Sequence, residues 1–185
     1  MNLQEKLLEI HRALDRARLP HAFGGAIALA YCTLDPRGTS DIDVNVFVPQ
    51  AEYARVVDAL PAAVRWTDDD LSKLARDGQV RIWWDENPVD VFLDYAPVHA
   101  DAARNRRLVP FYGQTVPVLG PVELAVFKAM FNRTKDWADI EAMIAARTLD
   151  VDVVAEKLRD MLGEDERLER LVEAERLAAV SRTSV

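Results

Sequence analysis

The spacing of apolar residues predicts a helix, a strand and a second helix at the start of the chain. Apolar positions recur every three or four residues from Leu3 to Leu14, and the amphipathic helix they predict ends before Pro20. The run at residues 21–23 predicts a short buried strand. The alanine-rich residues 26–34 are apolar on almost every side, which is typical of a short buried helix.

A strict alternation from residue 41 to residue 48 predicts a strand with one buried face. Its even-numbered residues are branched and aliphatic, whereas Asp41 and Asp43 share the opposite face with Asn45 and Phe47. A helix is expected next, to about residue 60. Shorter strands are predicted at residues 64–66, 80–84 and 89–95, with a polar helix between the first two and a hairpin at residues 108–119.

The pattern changes after Gly120-Pro121, where every apolar run has helical spacing. We therefore place a boundary near residue 119. The expected architecture is an α/β (α+β) domain in residues 1–119, with a mixed sheet flanked by helices, followed by a C-terminal helical bundle in residues 120–185.

Charge and composition exclude several classes of function. The 185 residues carry a formal net charge of −8, which disfavours extended duplex DNA and anionic membranes as partners. The single cysteine, Cys32, cannot form an internal disulfide, so a reducing compartment is expected. The chain shows neither the layout of a signal peptide at Met1 nor an apolar run near the roughly 18 residues that cross a bilayer. These observations predict a soluble cytoplasmic protein.

Two carboxylates and a double glycine are the strongest chemical signal. Asp41 and Asp43 are two apart in a strand pattern, so their side chains leave the same face about 6.6 Å apart. Such carboxylates repel each other unless a cation lies between them, and oxygen ligands favour Mg²⁺. Gly24 and Gly25 allow close approach of backbone to phosphate and lead into the N-terminus of the next helix.

These motifs, with Arg37, Thr39 and the later segment Val89-Asp90-Val91, resemble the nucleotidyltransferase superfamily typified by DNA polymerase beta. Within it, the pattern Leu124, Lys128 and residues 133–140 is similar to small bacterial members related to AbiEii-type toxins. The resemblance covers residues 21 to 145. It implies a nucleotidyltransferase-type sheet in the first domain and a helical region that completes the nucleotide site.

The resemblance implies a magnesium-dependent transfer of a nucleoside monophosphate. An acceptor hydroxyl would attack the α-phosphate of a nucleoside triphosphate and release pyrophosphate. Asp41 and Asp43 would bind two Mg²⁺ ions, with Mn²⁺ as a substitute, and a third carboxylate would complete the catalytic and metal set. Asp90 and Asp94 have the same strand parity, so spacing alone does not choose between them; alignment to the family pattern favours Asp90.

Basic residues form a local excess near the domain boundary. Between residues 104 and 135 there are six basic residues and one acidic residue, an arrangement that suits a polyanion such as a triphosphate or an RNA end. With the resemblance, Lys128 and Lys135 are interpreted as phosphate contacts and Asp139 as a nucleotide-positioning residue. Lys135 and Asp139 are also spaced for an ordinary helix ion pair.

Two residues of the turn before Asp41 complete the predicted nucleotide site. Arg37 is interpreted as a contact to the nucleotide or as a lock on the carboxylates, with a solvated turn arginine as the alternative. The hydroxyl of Thr39 is expected to steady the turn by bonding to nearby backbone.

The acceptor is left open by the sequence. The resemblance allows a tRNA 3′ end or another hydroxyl-bearing substrate, with a cognate antitoxin as a protein partner. The alternatives are an aminoglycoside- or protein-modifying nucleotidyltransferase, or a catalytically inactive module that binds nucleotides.

Overall fold

Most of the strands and helices predicted from periodicity are present in the computed structural model, which describes residues 1–183. The strands are β1 (His21–Phe23), β2 (Ile42–Pro49), β3 (Gln79–Trp84), β4 (Asn87–Asp94), β5 (Arg107–Phe111) and β6 (Gln114–Val118). The helices are α1 (Leu3–Arg16), α2 (Gly25–Thr33), α3 (Tyr53–Ala59), α4 (Asp68–Asp77), α5 (Pro97–Asn105), α6 (Pro121–Phe131), α7 (Thr134–Ala145), α8 (Val151–Leu162) and α9 (Glu166–Thr183). The mixed α/β fold with C-terminal helices is confirmed. The last two residues of the predicted segment 120–185 lie outside the described residues.

The strands described form one mixed sheet in the order β3-β4-β2-β1-β6-β5. β2 pairs in parallel with β4, and β1 pairs in parallel with β6, whereas β1/β2, β3/β4 and β5/β6 are antiparallel. The even-numbered residues 42–48 are buried, as their alternation predicts. The sheet core therefore lies under the face opposite to Asp43.

The chain divides into two compact units, each with more contacts among its own residues than with the other. The first unit contains residues 1–27 and 38–119, and with them the whole sheet. The second unit contains residues 28–37 and the chain from residue 120 onward, including α6 to α9. Helix α2 therefore begins in the first unit and ends in the second. The sequence pattern does not predict that residues 28–37 belong to the second unit, because α2 is apolar on almost every side.

A buried lysine holds the turn between β3 and β4 in the first unit. Lys6 on α1 is 1 % exposed. Its ammonium donates to the Trp84 carbonyl at 3.0 Å and to Asn87 Oδ1 at 2.8 Å, and it pairs with Asp85 at 3.0 Å. These three partners replace the water that a buried ammonium loses. They fix the hairpin that sets the register between β3 and β4.

Two elements differ from the sequence predictions. The strand expected at residues 64–66 is wrong, since only Arg65 forms a bridge there, with Trp83. Helix α5 was not expected: it is short and begins at Pro97, so it offers too little periodicity to be seen. Among the described residues, no helix is both long enough and apolar enough to cross a membrane.

Candidate active site

The turn before β2 presents Asp41 at the edge of the sheet. The Thr39 hydroxyl oxygen accepts a hydrogen bond from the Asp41 amide at 3.1 Å, and the Ser40 hydroxyl donates to Asp41 Oδ1 at 2.6 Å. Thr39 thus contacts backbone in the way expected of a turn hydroxyl. The Asp41 side chain is 35 % exposed, and its other oxygen, Oδ2, lies 3.3 Å from Arg81 Nη2.

Asp43 lies in a row of four residues from four neighbouring segments of the first unit. In order across the sheet they are Arg81, Asp90, Asp43 and Gly24. The parallel register of β2 and β4 pairs Asp43 with Asp90, and the antiparallel register of β3 and β4 pairs Asp90 with Arg81. On the other side, the Gly24 amide donates to the Asp43 carbonyl at 2.9 Å. Paired residues on adjacent strands point to the same face of a sheet, so this row places two carboxylates side by side.

The register also distinguishes Asp90 from Asp94. Asp94 pairs with Pro49 at the far end of β2. Four residues of strand place it about 13 Å from Asp90. The structure therefore places Asp90, and not Asp94, beside Asp43.

Gly25 is required by the approach of Asp43. Gly25 has a positive φ of 51°, which is unfavourable for residues with a Cβ. A Cβ built on it would lie 1.9 Å from Asp43 Oδ2. Since α2 begins at Gly25, the carboxylate lies beside the first turn of a helix, whose amides favour negative charge. The same amides could receive a phosphate.

Arg81 is the site residue that the sequence analysis missed. Its Nε donates to Asp90 Oδ1 at 2.8 Å, and its Nη2 donates to Asp90 Oδ2 at 2.7 Å and to Asp41 Oδ2 at 3.3 Å. Hydrogen bonding to Asp90 raises the pKa of Arg81 further, and Asp41 and Asp43 add to that shift. The two-residue turn between Trp84 and Asn87 could have revealed it, because counting back along both strands pairs residue 81 with residue 90.

The donor set has the chemistry of a magnesium site. Asp41, Asp43 and Asp90 supply oxygen ligands, which hard divalent cations prefer. With Arg81 included, the four side chains carry a formal charge of −2. Within residues 1–183, however, no three His, Cys, Asp or Glu side chains are gathered into a ready-made metal site. The carboxylates fit the ion chemically, and in this structure they are arranged around a guanidinium.

The predicted nucleotide contacts Lys128 and Asp139 of the second unit belong to an ionic network with a buried centre. Lys128 Nζ lies 2.6 Å from Asp139 Oδ2 and 4.0 Å from Asp136 Oδ1. Arg37 also pairs with Asp139, and Arg133 pairs with Asp136 at 2.6 Å. Asp136, Asp139 and Lys128 are all less than a tenth exposed. Arg37 therefore contacts Asp139 of the second unit, a partner that the sequence analysis did not identify.

Lys135 lies exposed in the first turn of α7. The basic partners described for Asp139 are Lys128 and Arg37, so the alternative helix pair between Lys135 and Asp139 is not formed. In the first unit, Arg104 pairs with Asp101, and Arg106 donates to the Ala103 carbonyl. Several residues of the predicted basic excess are thus engaged by their neighbours.

No protein-family model and no curated protein match this chain. Solved structures do. A crystal structure of ANT(2'')-Ia in complex with adenylyl-2''-tobramycin has a TM-score of 0.60 and 18 % identity, covering 85 % of this chain and 94 % of that one. The fold is that of the nucleotidyltransferases.

Two further structures agree on this nucleotidyltransferase fold. The solution structure of the antibiotic-resistance factor ANT(2'')-Ia has a TM-score of 0.53 and 16 % identity, and it covers 98 % of this chain and 96 % of its own. An antigenic nucleotidyltransferase-like protein from Paracoccidioides brasiliensis has a TM-score of 0.50 and 16 % identity, with 92 % of each chain covered. At these identities the likeness is one of fold, and the activity is argued from the residues.

Proposed function

We propose that this protein is a magnesium-dependent nucleotidyltransferase that moves a nucleoside monophosphate from a nucleoside triphosphate to a hydroxyl acceptor. The observation that carries the proposal is the in-register pair Asp43 and Asp90, with Asp41 beside them and Gly24-Gly25 directly after the neighbouring strand β1. The nucleotidyltransferase fold supports it, because the sheet brings these residues together from three separate segments.

The carboxylates are the proposed ligands of the metal. Asp41, Asp43 and Asp90 would hold Mg²⁺ or Mn²⁺, which when bound neutralises phosphate charge and makes the acceptor hydroxyl more acidic. The glycine turn positions Asp43, and the first amides of α2 bind a phosphate oxygen of the triphosphate.

The transfer needs one bond to form and one to break. The acceptor oxygen bonds to the α-phosphorus, while the bond from that phosphorus to the bridging oxygen of the β-phosphate breaks and pyrophosphate leaves. The hydroxyl proton passes to the carboxylate of Asp90, which is 15 % exposed and lies beside Asp43.

A small, positively charged acceptor is favoured over a long RNA. The chain carries a net charge of −8, so it attracts cations and repels polyanions. Arg104, Arg133 and Lys128, which could have contacted RNA phosphates, are paired with carboxylates. ANT(2'')-Ia is similar in fold and was solved with an adenylylated aminoglycoside. An aminoglycoside is therefore the first acceptor class to test, and the tRNA 3′ end is the second.

Label transfer tests the proposal directly. Each α-³²P nucleoside triphosphate is incubated with Mg²⁺ and with a panel of aminoglycosides, with tRNA, or with a bacterial lysate. The control variants are Asp43→Asn, which removes a site carboxylate, and Asp58→Asn, which makes the same change at an exposed position of α3. We expect labelled product from the wild type and from Asp58→Asn, and none from Asp43→Asn.

The outcomes separate the alternatives. Label in an aminoglycoside or in tRNA identifies the acceptor class, and label in a lysate protein identifies a protein-modifying enzyme. Nucleotide binding without any labelled product, from folded protein, would instead indicate an inactive nucleotide-binding module. Equal turnover in Asp43→Asn and wild type would exclude the proposed site.

A further inference from the structure

Arg81 has a position that the proposed reaction does not by itself explain. Both oxygens of Asp90 accept a hydrogen bond from its guanidinium, and Asp41 accepts a third, longer one. The guanidinium therefore bridges two of the three carboxylates proposed as metal ligands. In the described residues these carboxylates form no ready-made metal cluster.

A bound divalent cation and this guanidinium cannot use the same carboxylate oxygens without strong repulsion. An arginine is charged at every accessible pH, so it cannot relieve that repulsion by losing a proton. One of the two cations must therefore move away. Arg81 is the one able to move, since its side chain is 50 % exposed and its neighbours on the same face of β3 are also exposed.

We propose that Arg81 is an internal counter-ion that occupies the cation position between Asp41 and Asp90, and that it is displaced onto the phosphates of the nucleotide when the metal binds. This inference rests on the proposed function. It assigns Arg81 two successive partners: the carboxylates in the free protein and the triphosphate in the complex.

The charges of the row favour this exchange. Three carboxylates with Arg81 leave a formal charge of −2, so the free protein keeps an attraction for a divalent cation. Once the cation binds, it neutralises the carboxylates in place of the guanidinium. A triphosphate then offers several oxygens in the geometry that a planar guanidinium binds in two places at once. The arginine thus couples metal binding to nucleotide binding.

The structure supports a movable contact rather than a purely structural ion pair. Lys6, which holds the same hairpin, is almost fully buried and has three partners in the turn. The hairpin register therefore has an anchor that does not depend on Arg81. Half-exposed Arg81 can leave Asp90 while β3 and β4 stay paired.

Metal binding in the absence of nucleotide is the direct test, because it does not depend on turnover. Mn²⁺ is titrated into the wild type, Arg81→Ala and Arg81→Gln, and free Mn²⁺ is followed by electron paramagnetic resonance. Arg81→Gln removes the positive charge but keeps a hydrogen-bond donor for Asp90, so the test can still be made if the alanine variant does not fold. Arg76→Ala is the matched control, since Arg76 makes a comparable two-point pair with Asp77 on α4.

We expect both Arg81 variants to bind Mn²⁺ about tenfold more tightly than the wild type, because a charge-assisted contact to the ligand set has been removed. Arg76→Ala, which loses the same charge, should bind Mn²⁺ like the wild type. In the presence of Mg²⁺, α,β-methylene analogues of the four nucleoside triphosphates should bind Arg81→Ala about tenfold more weakly.

Two results would overturn the inference. Mn²⁺ affinity that is unchanged or weaker in both Arg81 variants would show that the guanidinium does not compete with the metal. Unchanged affinity for the triphosphate analogues would show that Arg81 has no second partner. The proposed function is tested separately, by label transfer with the wild-type protein. If the wild type transfers label but the Arg81 variants bind Mn²⁺ as the wild type does, only the role of Arg81 is rejected.

Discussion

The carboxylate of Asp43 lies directly against Gly25, so close that a single methyl group at residue 25 would overlap it. The distance from that methyl position to Asp43 Oδ2 is 1.9 Å, and Gly25 also has a positive φ. The double glycine and the Asp-x-Asp pair, which are separate motifs in the sequence, are thus one packing unit in the structure.

Gly25→Ala should displace the Asp43 carboxylate and strain the turn. The expected cost in the free energy of unfolding is about 1–3 kcal/mol, and a displacement of about 1 Å at a reacting group can lower the rate about a hundredfold. Thermal unfolding and label transfer measure the two effects. Gly24→Ala is the control, since its Cβ would lie 3.2 Å from Asn45 and 3.3 Å from Leu119, where side chains can adjust. Full activity in Gly25→Ala would contradict this account.

Asp90→Asn should abolish transfer, whereas Asp94→Asn should retain most of it. The reason is the register: Asp90 pairs with Asp43, and Asp94 pairs with Pro49. Initial rates of label transfer compare the two variants, and circular dichroism verifies that both fold. If Asp94→Asn were the inactive variant, the third carboxylate would have to be reassigned.

Lys128→Met should destabilise the protein by about 3 kcal/mol, because it leaves the buried carboxylates of Asp136 and Asp139 short of a cation. The exposed residue of the same helical region, Lys135, is the comparison: Lys135→Met should leave the unfolding free energy unchanged. Urea unfolding measures both. A loss of triphosphate affinity in Lys128→Met without any loss of stability would instead favour a phosphate contact.

Stability should fall as the pH is lowered from about 6.5 toward 4. Burial lowers the pKa of His21 to about 4, and burial also lowers the pKa of its hydrogen-bonded neighbour His11. Unfolded histidine has a pKa near 6.5, so the unfolded chain binds more protons in this range. The stabilisation is complete above about pH 6.5 and decreases by about 3 kcal/mol for His21 as the pH approaches 4.

Urea unfolding at pH 7.5, 5.5 and 4.5 tests this dependence. The variant His21→Phe should show a shallower decrease over the same range, because it removes the residue with the largest shift. A decrease of the same steepness in both proteins would show that other groups are responsible.

Much of the fold could be predicted from the sequence because the information is local. The alternation of residues 42–48 predicts β2 and its buried face, and the helical spacing after residue 120 predicts the C-terminal helices. Helix α5 was not predicted, and the single bridge at Arg65 was predicted as a strand, since short segments carry too few periodic positions. The excursion of residues 28–37 into the second unit has no local signal at all.

In the candidate site, too, local features could be predicted from the sequence, whereas contacts between distant segments could not. Asp41, Asp43 and the double glycine could be singled out from residue type and spacing. The interpretation of Lys128 and Asp139 rested on a family resemblance, and the structure adds that they form a buried ion pair with each other. Whether a charged side chain is buried beside another depends on segments that are distant in sequence, so spacing cannot reveal it.

The sequence by itself determined most of the strands and helices and the acidic chemistry, because side-chain periodicity and composition are properties of each segment alone. Only the tertiary structure decided that Asp90 rather than Asp94 lies beside Asp43, and that Arg81 bridges Asp90 and Asp41. Strand parity allows either aspartate, whereas the register of three neighbouring strands allows one. Register is a long-range property, set by the hairpin turn and by the strands that pair across the sheet.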